Sequence, residues 1–100
     1  MIPTFIDIDG TRIAYRHRPG GAPAVVFLPG YMSDMTGSKA QGLDAWAAAR
    51  GHAFLRLDYS GCGASAGRFE DGTLSRWAAD ARGVIDAVLG GGLYDMVGTI

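Results

Sequence analysis

The chain is poor in the features that mark several protein classes. It has one cysteine, Cys62, so no internal disulfide can form, which suits a reducing compartment and excludes a disulfide scaffold. Charge of either sign is not in excess: 9 Lys+Arg stand against 10 Asp+Glu, for a net charge of -1. That balance removes the electrostatic case for nucleic acid or an anionic lipid surface. Apolar runs are all too short to cross a bilayer. Met1–Gly10 has no basic segment followed by an apolar one, so no secretory signal is visible and the cytoplasm is the expected location. No repeat, low-complexity tract or domain boundary interrupts the 100 residues, and at 48% hydrophobic they suffice for one modest core. Glycine, in contrast, is abundant at 16 residues, and its placement punctuates the chain.

Thr4–Ile8 and Thr11–His17 alternate around Asp9-Gly10, which predicts a β-hairpin because glycine accepts the positive φ of such a turn. Arg18–Pro23 is rich in breakers and reads as a loop. Ala24–Leu28 (AVVFL) is apolar without alternation, the pattern of a strand buried on both faces of a parallel sheet. Pro29-Gly30 stops it.

Ser38 with Gln41 fits a capping box opening a helix whose stripe is Ala40, Leu43, Trp46 and Ala47; Gly51 then ends it. Ala53–Leu57 is a second buried strand running into Asp58, and Tyr59–Gly72 a long loop. Thr73 caps a second helix with apolar positions Leu74, Trp77, Ala78, Ala81, Val84, Ile85, Val88 and Leu89. Core packing is the default for both tryptophans. Gly90-Gly91-Gly92 closes that helix, and Leu93–Val97 starts one more strand. A hairpin followed by β-α-β-α-β predicts an α/β domain with a parallel sheet and an antiparallel edge.

Three constellations bear on chemistry. In Phe27-Leu28-Pro29-Gly30-Tyr31-Met32 a buried strand breaks abruptly, leaving backbone amides at its carboxyl end. Ligands bind there in α/β sheets, and free amides there can hold an oxyanion. A plain strand-ending turn satisfies the same six residues. Gly61–Ala66 spells G-x-G-x-x-A after a strand, but a dinucleotide site needs a helix opening near Ala66, whereas the helix signal waits for Thr73. Small residues in a tight loop, with Asp58 accepting loop amides, form the structural alternative. Cys62 could act with His17 or His52 only if an imidazole reached the sulfur. His52 precedes the strand that Cys62 follows, which puts the two at opposite ends. No metal-ligand spacing is present, and no cofactor is expected.

Taken together, these stretches resemble the amino-terminal half of a serine hydrolase of the α/β-hydrolase superfamily, from about Thr4 to Val97. Val25–Tyr31 looks like its third strand and oxyanion loop, with Pro29 where a histidine often stands. Arg56–Ser65 looks like the fourth strand and its Asp-x-x-Gly-x-Gly-x-Ser loop. Thr73–Trp77 with Asp80 looks like the start of the helix before the nucleophile strand. Within the superfamily the sequence resembles bacterial hydrolases similar to palmitoyl-protein thioesterase and acyl-glucuronide esterase.

The resemblance implies an incomplete three-layer α/β sandwich. It also implies hydrolysis of a small acyl ester or thioester by serine, histidine and acid, with two backbone amides at the oxyanion. Carried over residue by residue, it assigns one oxyanion amide to Tyr31, with Gly30 and Met32 in the active-site loop. Asp58, Gly61, Gly63 and Ser65 shape the second loop. If Gly98 opens the nucleophile elbow, Ile100 takes the serine position, and the acid and histidine have no match.

The leading expectation is therefore a truncated or frameshifted hydrolase chain, inactive alone. The alternative is a non-catalytic module that pairs with a copy or a partner through an exposed Leu93–Val97 edge. Uncovered sheet faces lead to an isolated chain that is partly unfolded, aggregated or partner-dependent, since complete domains hold only roughly 5–15 kcal/mol.

Overall fold

The structure, a computed structural model, describes residues 2–30, 33–90, 92 and 94–98. Strands β1 (Thr4–Ile8), β2 (Thr11–Arg18), β3 (Gly21–Leu28), β4 (His52–Leu57) and β5 (Tyr94–Gly98) form one sheet, with helices α1 (Ser38–Ala49) and α2 (Leu74–Leu89) between them. The sheet order is β1-β2-β4-β3-β5. β1 and β2 form the antiparallel hairpin, β2 joins β4 antiparallel, and β3 lies parallel to both β4 and β5. The mixed sheet places β3 and β4 at its centre, where their continuous apolar stretches are covered on both faces.

Alternation divides those strands between two cores. Val26, Leu55 and Leu57 turn toward α2 and pack with Ile13, Ala81, Val84 and Ile85. Val25, Phe27 and Phe54 turn the other way and pack with Ala40 and Ala47 of α1. Each helix thus covers one face, as the double-sided apolar strands require.

The second helix begins where its cap signal stands: Thr73 accepts a hydrogen bond from the Arg76 amide at 3.0 Å. Gly51 ends α1's turn at φ +74°.

Five expectations need correction. Gly37, not Ser38, precedes the first turn of α1, and no side chain caps it. Asp34 instead takes the Thr36 amide and hydroxyl at 2.8 and 2.6 Å, which commits the preceding residues to a local turn. The Gln41 side chain then donates to the Thr36 carbonyl. Residues 21–23 belong to β3 and not to a loop, because Gly21 pairs with His52 and its amide reaches the Gly51 carbonyl. Pro23 is tolerated there because the register shifts between Gly21 and Val25.

Trp46 is 45% exposed: it stacks on His52 and carries the Arg50 guanidinium on its ring, which an amphipathic indole does at a surface. Leu74, at 82% exposed, sits on the first turn ahead of the sheet's cover and is not part of the core stripe. Trp77 is only half-buried and packs against Tyr59 and Phe69, bracing a loop and not the sheet.

Candidate active-site loops

Because β3 and β4 run parallel, the segments that leave their carboxyl ends emerge on the same side of the sheet. After β3 come Pro29 and Gly30, whose carbonyl accepts the Ser33 amide at 3.0 Å. Tyr31 and Met32, assigned to the oxyanion loop by resemblance, lie outside the described residues, as do Leu93, Thr99 and Ile100. After β4 comes Asp58, only 1% exposed, and it joins the two loops. One carboxylate oxygen accepts the Met35 amide of the first loop at 2.8 Å; the other accepts the Ala64 amide of the second at 2.9 Å. Burial pushes the Asp58 carboxyl above its ordinary range; its two amide donors work in the opposite direction, and the nearby Asp34 adds to the rise.

The second loop folds back on itself and on the hairpin. Gly61 donates to the Ala66 carbonyl and Ala66 to the Arg12 carbonyl, both at 2.8 Å. Gly61 and Gly63 have φ of +78° and +51°, a region that glycine enters without steric cost. At Gly63 a side chain has no room either: a Cβ would lie 2.3 Å from an Asp58 carboxylate oxygen.

From α2, the fully buried Asp80 accepts the Ser60 amide at 2.8 Å, and Arg76 pairs with Asp80 at 3.0 Å. The Trp77 indole donates to the Ser60 carbonyl. No helix opens near Ala66; a single 3-10 turn at Phe69–Asp71 precedes α2. Without helix amides facing that loop, the dinucleotide reading has no phosphate site.

Residues 63–67, Gly-Ala-Ser-Ala-Gly, spell Gly-x-Ser-x-Gly, a signal the reading of the sequence passed over. The structure shows why the spelling is not an elbow. An elbow exposes its serine between a strand and a helix. Ser65 instead donates to the Asp58 carbonyl at 2.7 Å and accepts the Ala14 amide at 2.8 Å. Its donor and acceptor sides tie the loop to the end of β4 and to β2.

Cys62 shares a cleft of about 200 Å³ with Ser33, Asp34, Gly61, Gly63 and Phe69, between the two loops. Burial raises its thiol, and Asp58 and Asp80 add to the effect, so the sulfur is held away from the reactive thiolate. His52 begins β4 and Cys62 follows its far end, so these two do not form a pair. Among the described residues no cluster of three His, Cys, Asp or Glu could hold a metal ion, and no helix is long and apolar enough to cross a membrane.

The fold recurs in known proteins. Palmitoyl-protein thioesterase ABHD10, mitochondrial, from Homo sapiens is 40% identical over 83 residues, which are 83% of this chain and 27% of that protein. The mouse alpha/beta hydrolase domain-containing protein 10 superposes with a TM-score of 0.91 at 34% identity, over 99% of this chain and 40% of that one. Est1E from Butyrivibrio proteoclasticus, solved with ferulic acid bound, matches with a TM-score of 0.85 at 25% identity, over 95% of this chain and 41% of that one. No protein-family profile matches the chain. The chain spans about a quarter of the length of the curated relatives it matches. A superposition over nearly the whole chain and this degree of identity lead to one assignment: the chain is an amino-terminal portion of an α/β-hydrolase, related to the palmitoyl-protein thioesterase ABHD10.

Proposed function

We propose that these residues build the oxyanion side of a serine hydrolase that transfers an acyl group from an ester or thioester to water. The observation that supports it is the double hold of Asp58 on Met35 and Ala64, which fastens the loop after β3 beside the loop after β4 at the strand ends. That is the edge where an acyl carbonyl would meet backbone amides. The Tyr31 amide is the proposed donor, with Gly30 and Met32 flanking it. If Gly98 opens the nucleophile elbow, Ile100 stands at the serine position; with Ser65 a brace, none of these 100 residues is proposed as nucleophile, acid or histidine. The free Cys62 suits a reducing compartment, and the cytoplasm is the proposed location; the human relative is named mitochondrial.

With acyl thioesters and activated esters, the chain alone is expected to show no turnover above a Tyr31→Pro variant, which lacks the proposed amide. A fluorophosphonate probe is expected to leave every serine unlabelled. Stoichiometric labelling of Ser65, another serine or Thr99 would overturn the assignment.

A second reading, a non-catalytic module that pairs through its sheet margin, is favoured by one observation. β5 pairs with β3 on one side, and Tyr94, Met96 and Val97 are 40, 57 and 40% exposed. An apolar strand at a sheet margin is a template for another chain. Size-exclusion chromatography over a dilution series, with thermal melting, is expected to show association that falls on dilution. A monomer at all concentrations with a sharp melt would mark a self-sufficient small module.

A further inference from the structure

Arg56, 8% exposed, is a buried guanidinium one residue from the carboxyl end of β4, between the apolar Leu55 and Leu57. Its position follows from the alternation of β4: Phe54 and Arg56 share the face under α1, and Asp58 continues that face past the strand end. A charge here is tolerable only if paired and hydrogen-bonded. One tip of the fork, Nη1, donates to the Met35 carbonyl at 3.2 Å, and the other, Nη2, meets Asp44 Oδ2 of α1 at 3.4 Å. Asp44 is held in turn by Arg18, whose Nη2 lies 2.7 Å from its Oδ1, while Arg18 Nη1 donates to the His52 carbonyl at 2.9 Å. A line of alternating charge therefore runs under α1 from the start of β4 to the loop after β3.

Met35 is where that line ends. Its side chain is 1% exposed, its carbonyl takes Arg56, and its amide is taken by Asp58. A residue held at one of its two flanking peptides can still pivot about the other; with its amide held by Asp58 and its carbonyl by Arg56, at the end of one strand, Met35 has both flanking peptides fixed. We propose that Arg56 is a positioning residue for the loop that begins at Gly30, clamping Met35 jointly with Asp58 while Asp44 steers the guanidinium. Its catalytic meaning rests on the acyl-hydrolase reading above: an oxyanion donor is effective only if its loop is oriented before the charge develops. The clamp itself is a property of this chain.

Lysine cannot replace the fork, because one ammonium reaches the Met35 carbonyl or Asp44 but does not bridge both. Amide hydrogen exchange of the full 100-residue chain, followed by NMR, tests this directly. The Met35 amide is expected to be protected in the wild type. In Arg56→Met and in Arg56→Lys alike it should exchange about tenfold faster or more, while Val84 and Ile85, under α2 on the opposite face, stay within about threefold. Asp44→Asn, which keeps both arginines, should give a smaller change confined to the same loop.

An unprotected Met35 amide in the wild type would overturn the clamp. So would acceleration of all amides by a common factor in all three variants, which would mean that Arg56 serves the fold as a whole. Wild-type exchange in Arg56→Lys would overturn it too, because a point charge would then do what the bridging fork is proposed to do. The readout involves no turnover, so a labelled serine would overturn the assignment of the nucleophile to other sequence and leave the clamp standing, while an unprotected Met35 amide would remove the clamp and leave that assignment.

Discussion

Asp58→Ala is expected to lower the stability of the chain by about 2–6 kcal/mol at neutral pH, because it strands two amides at about 1–3 kcal/mol each. The amides are those of Met35 and Ala64, 2.8 and 2.9 Å from the two carboxylate oxygens. Set against a total of about 5–15 kcal/mol for a domain of this size, one side chain then carries a large share of the fold. Asp58→Asn should recover only part, since its NH2 group turns a donor toward one of the two donors. Burial raises the Asp58 carboxyl above 3.8, and this determines the pH dependence. The folded state binds the proton more readily than the unfolded state. Stability contributed by Asp58 is therefore fully present below the unfolded value and falls as pH rises through the raised folded value. Urea unfolding at one fixed protein concentration, across that window, should show the wild-type advantage over Asp58→Ala shrinking with rising pH and then levelling. An advantage that grows with pH would mean that the two amide bonds outweigh desolvation.

Much of this frame is legible in the residues because local signals and packing agree. Asp9-Gly10 between alternating runs, the double-sided apolar strands, and Thr73 ahead of a periodic stretch each name an element and roughly its start. Misreadings arise where a long-range partner decides. Gly21 reads as a breaker until His52 offers it a ladder place. Ser38 and Gln41 match a capping box, yet Asp34, four residues before the serine, claims the turn first. Trp46 keeps helical spacing with Ala40 and Ala47 but takes His52 and Arg50 as neighbours at the surface.

At the site, Asp58, Gly61 and Gly63 are legible as a small-residue loop anchored by a carboxylate. The part of Arg56 is not, because a charged residue inside an apolar strand does not name the backbone group it will meet. Ser65 is the opposite case: its flanking glycines spell a catalytic motif, and only the bonds to Asp58 and Ala14 show that its hydroxyl is occupied.

The second large effect is expected at Gly61. A Cβ there would stand 2.6 Å from the Arg68 carbonyl carbon and 2.7 Å from the Phe69 nitrogen. These are backbone atoms of the loop's return path, which cannot swing aside as a side-chain tip can. Gly61→Ala also pays for a positive φ of +78°. The sum is a loss of about 2–4 kcal/mol, roughly 1 from the backbone and the rest from overpacking. Gly10→Ala separates the two contributions, because Gly10 has φ +86° but nothing within 4 Å of its Cβ position; it should lose only about 1 kcal/mol. Displacing Phe69 also disturbs its contact with Trp77, so the tryptophan emission of Gly61→Ala should shift in the folded state while that of Gly10→Ala does not. Gly63→Ala acts differently: its Cβ would displace the Asp58 carboxylate, so it should cost nothing further in an Asp58→Ala background beyond the φ penalty. Full additivity of that pair would mean that the glycine and the carboxylate act independently, and the account of the loop as one Asp58-centred unit would fall.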